Sequence, residues 1–166
     1  MRGGWVFAAL LIAGCAHQRL TAAPAVGADL SGHWRLNAAE SDDPQGLVGE
    51  APVAALVDAL RWPGKDLVIK QLGGVVAFSS GGESRVCQPS DRSLAEVRAR
   101  HGRDAQLICG WSGPALVVVG VPDDGGGTIE DQYRVSADRR QLVQRIREST
   151  ANGRGVDMVR VWDRLE

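Results

Sequence analysis

Apolar and polar residues alternate along most of the chain after residue 29, with the two-residue period of a half-buried β-strand. In the first such segment Leu30, Trp34 and Leu36 share one parity, and Ser31 and Arg35 occupy the other. Glycine pairs and Gly-Pro steps, which favour turns, separate many of these segments. The pattern predicts about eight or nine short strands, over residues 30–36, 66–71, 75–80, 83–88, 104–111, 115–121, 128–135, 141–149 and 156–165.

One segment departs from this period. Val53, Leu56 and Leu60 recur at spacings of three and four, and Pro52 suits a first helical turn, so a short amphipathic helix is predicted over residues 52–61. Because no helix separates the later strands, the fold class should be mainly β, an antiparallel meander that closes into a barrel or half-barrel. Charged outward positions such as Glu130 and Arg147 argue against a transmembrane barrel.

The first residues follow a different pattern. Arg2 precedes an apolar run over residues 5–13, and Ala13 and Gly14 stand directly before Cys15. The run Leu-Ile-Ala-Gly-Cys over residues 11–15 resembles the signal of bacterial lipoproteins. This resemblance implies cleavage before Cys15, diacylglycerol on its sulfur, and acylation of the new amino terminus with a chain such as palmitate.

The alternatives for this segment are a transmembrane anchor and an ordinary signal peptide. A spanning helix needs about 20 apolar residues, yet His17 and Arg19 end the run early. The expected organisation is a signal peptide over residues 1–14, a lipidated N-terminus and flexible tether over 15–28, and a β domain over 29–166. Ala16 after the cysteine, where Asp would favour the inner membrane, implies the outer membrane, with the domain facing the periplasm.

Lipid on Cys15 would leave Cys87 and Cys109 as a pair. An even number of cysteines in an oxidising compartment indicates a disulfide bond. Both lie in consecutive predicted strands, which can be neighbours. The alternative is two reduced, buried thiols.

Motifs near both ends carry a family resemblance. Residues 29–37, Asp-Leu-Ser-Gly-His-Trp-Arg-Leu-Asn, then Glu40-Ser41-Asp42, resemble the opening of secreted bacterial lipocalin-like domains of largely uncharacterised function. Residues 133–143 resemble the penultimate hairpin of those domains, and residues 159–162 resemble their closing strand. The resemblance implies that Trp34 packs at the closed barrel end against an arginine of the last strand, Arg160 or Arg164. The alternative is that Trp34 is an ordinary core residue.

The remaining composition bears on chemistry. The 19 basic and 20 acidic side chains nearly cancel, which gives no indication of nucleic-acid binding. Residues 110–114 lack the second glycine of a nucleophile elbow, and His33 and His101 lack the spacing of a zinc site. We therefore expect no catalytic, cofactor or metal site, and no enzymatic activity.

Two functions fit these expectations. In the first, a lipid-anchored binding module holds an apolar or amphipathic small molecule in a barrel lined by residues such as Leu67, Ile69, Leu107 and Val117. In the second, the barrel is filled by its own side chains, and the domain is a structural or assembly partner of an envelope protein complex.

Overall fold

The structure is a computed structural model, and it describes residues 19–43, 63–93, 108–120, 127–150 and 155–165. These residues form eleven strands and no helix. The strands are β1 (Arg19–Leu20), β2 (Gly32–Leu36), β3 (Asp66–Leu72), β4 (Val75–Ser80), β5 (Glu83–Cys87), β6 (Arg92–Ser93), β7 (Ile108–Ser112), β8 (Ala115–Gly120), β9 (Gly127–Val135), β10 (Gln141–Thr150) and β11 (Gly155–Leu165).

Nine of these strands form one antiparallel sheet. Its order is β5-β4-β3-β2-β11-β10-β9-β8-β7, so two meanders, β2 to β5 and β7 to β11, join where β11 pairs with β2. Because this sheet curls round until its edge strands β5 and β7 approach each other, it forms a nearly closed barrel. The predicted antiparallel meander of about nine strands is confirmed. The predicted helix over residues 52–61 lies outside the described residues.

Two glycine pairs form the tight turns of the two hairpins in the first meander. Gly73 and Gly74 connect β3 to β4, and Gly81 and Gly82 connect β4 to β5, all with positive φ. A two-residue turn with positive φ at both positions matches the twist of its flanking strands, and glycine adopts it without a steric penalty.

Alternate side chains of each strand point into the barrel and form its core. Three tryptophans, Trp34, Trp111 and Trp162, are completely buried there. Phe78 on β4 and Tyr133 on β9 come from opposite sides of the barrel, and their ring centroids are 5.0 Å apart. Where Phe78 and Tyr133 meet, the barrel is therefore filled by its own side chains.

The gap between β5 and β7 is spanned covalently. Cys87 ends β5, Cys109 lies in β7, and the two form a disulfide bond with a Cα–Cα distance of 6.1 Å. The backbone N–H of Ser90, just beyond β5, donates a hydrogen bond of 3.0 Å to the Cys109 carbonyl. The predicted disulfide is confirmed, and it closes the barrel where the sheet lacks a strand pair.

The chain before β2 lies partly on the outer face of the barrel. β1 pairs with β6, and Leu20 is 0% exposed against Val117, Val119 and Ile108. Part of the segment expected to be a flexible tether is therefore packed on β7 and β8. For the same reason Val117 does not line the barrel interior as expected, because its side chain points outward under Leu20. Among the described residues, no helix is long and apolar enough to cross a membrane.

Candidate ligand site in the barrel interior

A layer of polar side chains interrupts the apolar interior. Strand alternation places one of them between two apolar residues on each of two neighbouring strands: Gln144 between Leu142 and Ile146 on β10, and Arg160 between Trp162 and Met158 on β11. Gln144 and Arg160 are direct cross-strand partners. We call this group the polar layer, and its five members are Arg85, Asp131, Tyr133, Gln144 and Arg160.

The polar layer separates two apolar clusters. The large one contains the tryptophans, Phe78 and Tyr133. The small one consists of Ile146 and Met158, with Ile129 and Val156 packed against them. It lies between the polar layer and the barrel end where β9 begins, β10 ends and β11 begins, since those termini are paired in the sheet. Ile129 and Val156 are half-buried, so the small cluster is partly accessible at this end.

Gln144 is the centre of the polar layer. Its side chain is 0% exposed. Its amide nitrogen donates to the Tyr133 hydroxyl at 3.1 Å and is 3.5 Å from an Asp131 carboxylate oxygen. Its amide oxygen, Oε1, has no hydrogen-bond partner in the structure. A buried polar atom left unpaired costs about 1–3 kcal/mol, so this acceptor needs an explanation.

A second unpaired polar atom lies nearby. The indole Nε1 of Trp162 is buried and also has no hydrogen-bond partner. Trp162 follows Arg160 by two residues on the same face of β11, and the Arg160 guanidinium lies 4.8 Å from its ring centroid. Gln144 is therefore a diagonal neighbour of Trp162 across the β10–β11 pair. The site offers one unused acceptor and one unused donor on adjacent strands.

Burial shifts the ionisation of the polar layer. Although part of the Asp131 residue is accessible, burial raises the pKa of its carboxyl to about 7, opposed by the hydrogen bond from Gln144 and the charges of Arg85 and Arg160. Burial also raises the pKa of Tyr133 well above its usual value, and the Asp131 charge adds to that effect. Arg160 is buried and donates to the Gly64 carbonyl at 3.3 Å, and burial lowers its pKa. Tyr133 is therefore a neutral hydroxyl, and Asp131 changes charge near neutral pH.

The structure separates the two arginines proposed for the Trp34 contact. Arg164 is the one over Trp34, with its guanidinium carbon 4.3 Å from the ring centroid. It also donates to the carbonyls of Arg139 at 2.8 Å and Ser31 at 3.2 Å. The Trp34 indole donates to the Leu30 carbonyl at 3.1 Å. Arg160 belongs to the polar layer instead.

The other expected site residues have different outcomes. Leu67 and Ile69 are buried in the large core cluster. Cys15 and Leu107 lie outside the described residues, as does His101. His33 is exposed on β2. Within the described ranges, no group of three or more histidine, cysteine or acidic side chains is placed to hold a metal ion.

Two hollows on the outside of the barrel are less suited to a ligand. The larger, of about 420 Å³, is open and lies over β8, β9 and β10, where Arg134 and Arg145 line it. The smaller, of about 230 Å³, lies beside Val26 and Arg139. Neither contains a buried, unpaired polar atom, so the polar layer is the better candidate.

The polar layer was not identified from the sequence, although its signal was present. Gln144 breaks an otherwise apolar parity between Leu142 and Ile146, and Arg160 does the same between Met158 and Trp162. A polar residue on the buried parity of a strand is a candidate for function. Which of these side chains would meet across the barrel depends on register and closure, which alternation alone does not give.

Comparisons with known proteins add no family to this description. No protein-family model matches the chain, and no curated protein matches its sequence. The function is therefore argued from the chain's own residues.

Proposed function

We propose that this protein is a lipid-anchored protein of the bacterial cell envelope whose lipocalin-like barrel binds one small amphipathic molecule without transforming it. The anchor is diacylglycerol on Cys15, which resembles the acceptor of bacterial lipoproteins, and it holds the domain at the outer membrane, facing the periplasm. A disulfide between Cys87 and Cys109 is compatible with that oxidising compartment.

The observation that carries the binding proposal is that two diagonal neighbours, Gln144 and Trp162, each have a buried polar atom, Oε1 and Nε1, without a hydrogen-bond partner. A head group with one hydrogen-bond donor and one acceptor, such as an alcohol or a carboxylic acid, pairs with both atoms. The apolar part of the molecule then lies against Ile146 and Met158, towards the end of the barrel. Because Phe78 and Tyr133 fill the interior on the other side, the ligand is small and does not run the length of the barrel.

Binding of a fluorescent short-chain alcohol, whose hydroxyl both donates and accepts a hydrogen bond, tests this site. A dansylated alcohol of this kind should bind saturably and receive energy from the buried tryptophans. Replacement of Gln144 with Leu keeps the volume but removes the acceptor, so affinity should fall about tenfold, the equivalent of one hydrogen bond of about 1.4 kcal/mol. Gln132→Leu is the matched control, because Gln132 lies on the adjacent strand and its amide bonds to Glu130 at 2.9 Å, outside the polar layer.

Two results would overturn the binding proposal: no saturable energy transfer in the wild-type protein, or equal affinity in the Gln144→Leu protein. The filled level at Phe78 and Tyr133 favours the second function, an assembly partner without a ligand. That function predicts no probe binding and a stoichiometric partner when the protein is purified from detergent-solubilised membranes.

The anchor has a separate test. Cys15→Ser protein should be released from membranes and should take up no labelled palmitate. Wild-type protein should remain with the membranes and should incorporate the label. Wild-type protein that carries no lipid by mass spectrometry would contradict the anchor without bearing on the barrel site.

A further inference from the structure

Residues 19–25 are held on the outside of the barrel by contacts that a free tether would lack. We call them the docked segment. Leu20 is completely buried, whereas Val26, just after the segment, is 107% exposed. The first buried side chain of the docked segment, Leu20, therefore lies only five residues after Cys15.

Backbone hydrogen bonds fix the position of this segment. The N–H of Thr21 donates to the Trp111 carbonyl at 2.8 Å, and the N–H of Trp111 donates back to the Thr21 carbonyl at 2.8 Å. The N–H of Ala22 donates to an Asp91 carboxylate oxygen at 2.9 Å, and that of Ala25 donates to the Gly113 carbonyl at 3.3 Å. The segment thus extends the β7 edge of the sheet and covers its outer face.

Gly110 shows how close this contact is. A Cβ at Gly110 would lie 2.6 Å from the Leu20 Cβ and 2.9 Å from the Ser90 carbonyl oxygen, closer than real contacts allow. Only glycine at this place in β7 lets the segment and the chain after β5 approach together. The docking is therefore built into the sheet as well as into the segment.

Chain length ties this surface to a membrane. Four residue steps connect Cys15 to Arg19, and an extended chain covers at most about 14 Å in that number of steps. We propose that the docked segment fixes the orientation of the barrel on the bilayer, with β7 and β8 facing the lipid surface and β2 and β3 facing away. This inference rests on the lipid anchor of the proposed function and is independent of the interior ligand.

The charge and strand order agree with that orientation. Exposed Arg19 of β1 lies opposite Ser93 of β6, where its charge would meet anionic head groups. In the order of strands around the barrel, β2 and β3 are the farthest from β7 and β8. A rigid attachment at β7 therefore holds β2 and β3 away from the membrane, whereas a free tether would let the barrel turn.

Lipid quenching of a fluorophore measures the orientation. Single cysteines replace exposed Arg134 on β9, next to β8, or exposed Lys70 on β3. Cys87 and Cys109 are paired and do not react. The lipidated full chain is placed on vesicles of phosphatidylcholine and phosphatidylglycerol that carry a head-group quencher. We expect at least twofold stronger quenching at position 134 than at position 70.

Variants of the segment identify the cause. Leu20→Asp should detach it and bring the quenching ratio towards one, and Val26→Asp, which adds the same charge at an exposed position, should keep the ratio of the wild type. Gly110→Ala displaces the same segment without burying a charge and should lower the quenching ratio as Leu20→Asp does. Agreement between the two variants would show that displacement of the segment, and not a folding defect in one protein, is the cause.

The outcomes distinguish the orientation from the anchor. Equal quenching at both positions in protein whose mass includes the lipid overturns the fixed orientation and leaves the anchor intact. A ratio unchanged in both Leu20→Asp and Gly110→Ala also overturns it. Wild-type protein with an unmodified Cys15, which would then react with the fluorophore, overturns the anchor and the orientation together.

Discussion

At the scale of single residues, the barrel interior contains polar side chains at positions where apolar ones could pack equally well. Gln144 could be replaced by a leucine of similar volume, yet its amide nitrogen joins Tyr133 and Asp131 while its oxygen remains unpaired. A core selected for stability alone would not keep such a group, because apolar replacements of the same shape are often neutral or stabilising. This cost in stability supports the proposal that the polar layer binds a ligand.

Asp131 makes the stability of the fold depend on pH. Its carboxyl has a pKa of about 7 in the folded protein and about 3.8 when unfolded, so between these values the folded state binds more protons. The contribution of Asp131 to the free energy of unfolding should therefore be greatest below pH 4, fall as the pH rises to 7, and then level off. Since one pKa unit corresponds to about 1.4 kcal/mol, we expect a fall of about 2 kcal/mol or more from this group.

Urea unfolding of the Asp131→Asn protein between pH 4 and pH 8 checks this prediction. The asparagine stays neutral, so the fall should largely disappear and the variant should be more stable than wild type at pH 8. Asp66→Asn is the control, because Asp66 is exposed and its ion pair with Arg35 at 2.9 Å contributes little. A fall as steep in Asp131→Asn as in wild type would contradict the assignment.

At the scale of elements, local sequence patterns predicted the longer strands and the tight hairpins. The strand β10 follows from the alternation around Leu142 and Ile146, which Gln144 interrupts, and the β3–β4 and β4–β5 hairpins follow from their glycine pairs. β1 and β6 were missed because two residues are too short to show a period. Leu20 is a single apolar residue in an Ala- and Pro-rich stretch, and only the tertiary fold shows that it is buried.

Gly110 tests how the docked segment and β7 fit together. We expect Gly110→Ala to lower the free energy of unfolding by about 1–3 kcal/mol, since the new methyl group overlaps Leu20 and a backbone carbonyl. Trypsin should also cleave after Arg19 faster once the segment is displaced. Gly64→Ala is the matched control, because a Cβ there meets only the Ser80 hydroxyl at an ordinary 3.5 Å. Similar effects of the two substitutions would show that close approach is not the cause.

At the scale of the whole molecule, the barrel is closed in two different ways. β11 pairs with β2 through backbone hydrogen bonds, whereas β5 and β7 are linked by the disulfide and by the hydrogen bond from Ser90 to Cys109. The sequence predicted a barrel or half-barrel and the cysteine pair. It did not predict that the bond spans the gap in the barrel, because strand order is a property of the assembled sheet.

This arrangement predicts where loss of the disulfide acts. The bond closes a loop with a sequence separation of 22 residues, so replacing both cysteines with alanine should lower the free energy of unfolding by about 3 kcal/mol. Because β5 and β7 are the two edges of the sheet and are then no longer joined covalently, amide hydrogen exchange should accelerate mainly there, while the β10–β11 pair in the middle of the sheet stays protected. Urea unfolding measures the first effect and exchange resolved by residue measures the second. Wild-type protein treated with a reductant should behave like the double variant, and the double variant itself should not respond to reductant. Uniform acceleration in all nine strands would mean that the disulfide stabilises the barrel as a whole and does not hold its edges together.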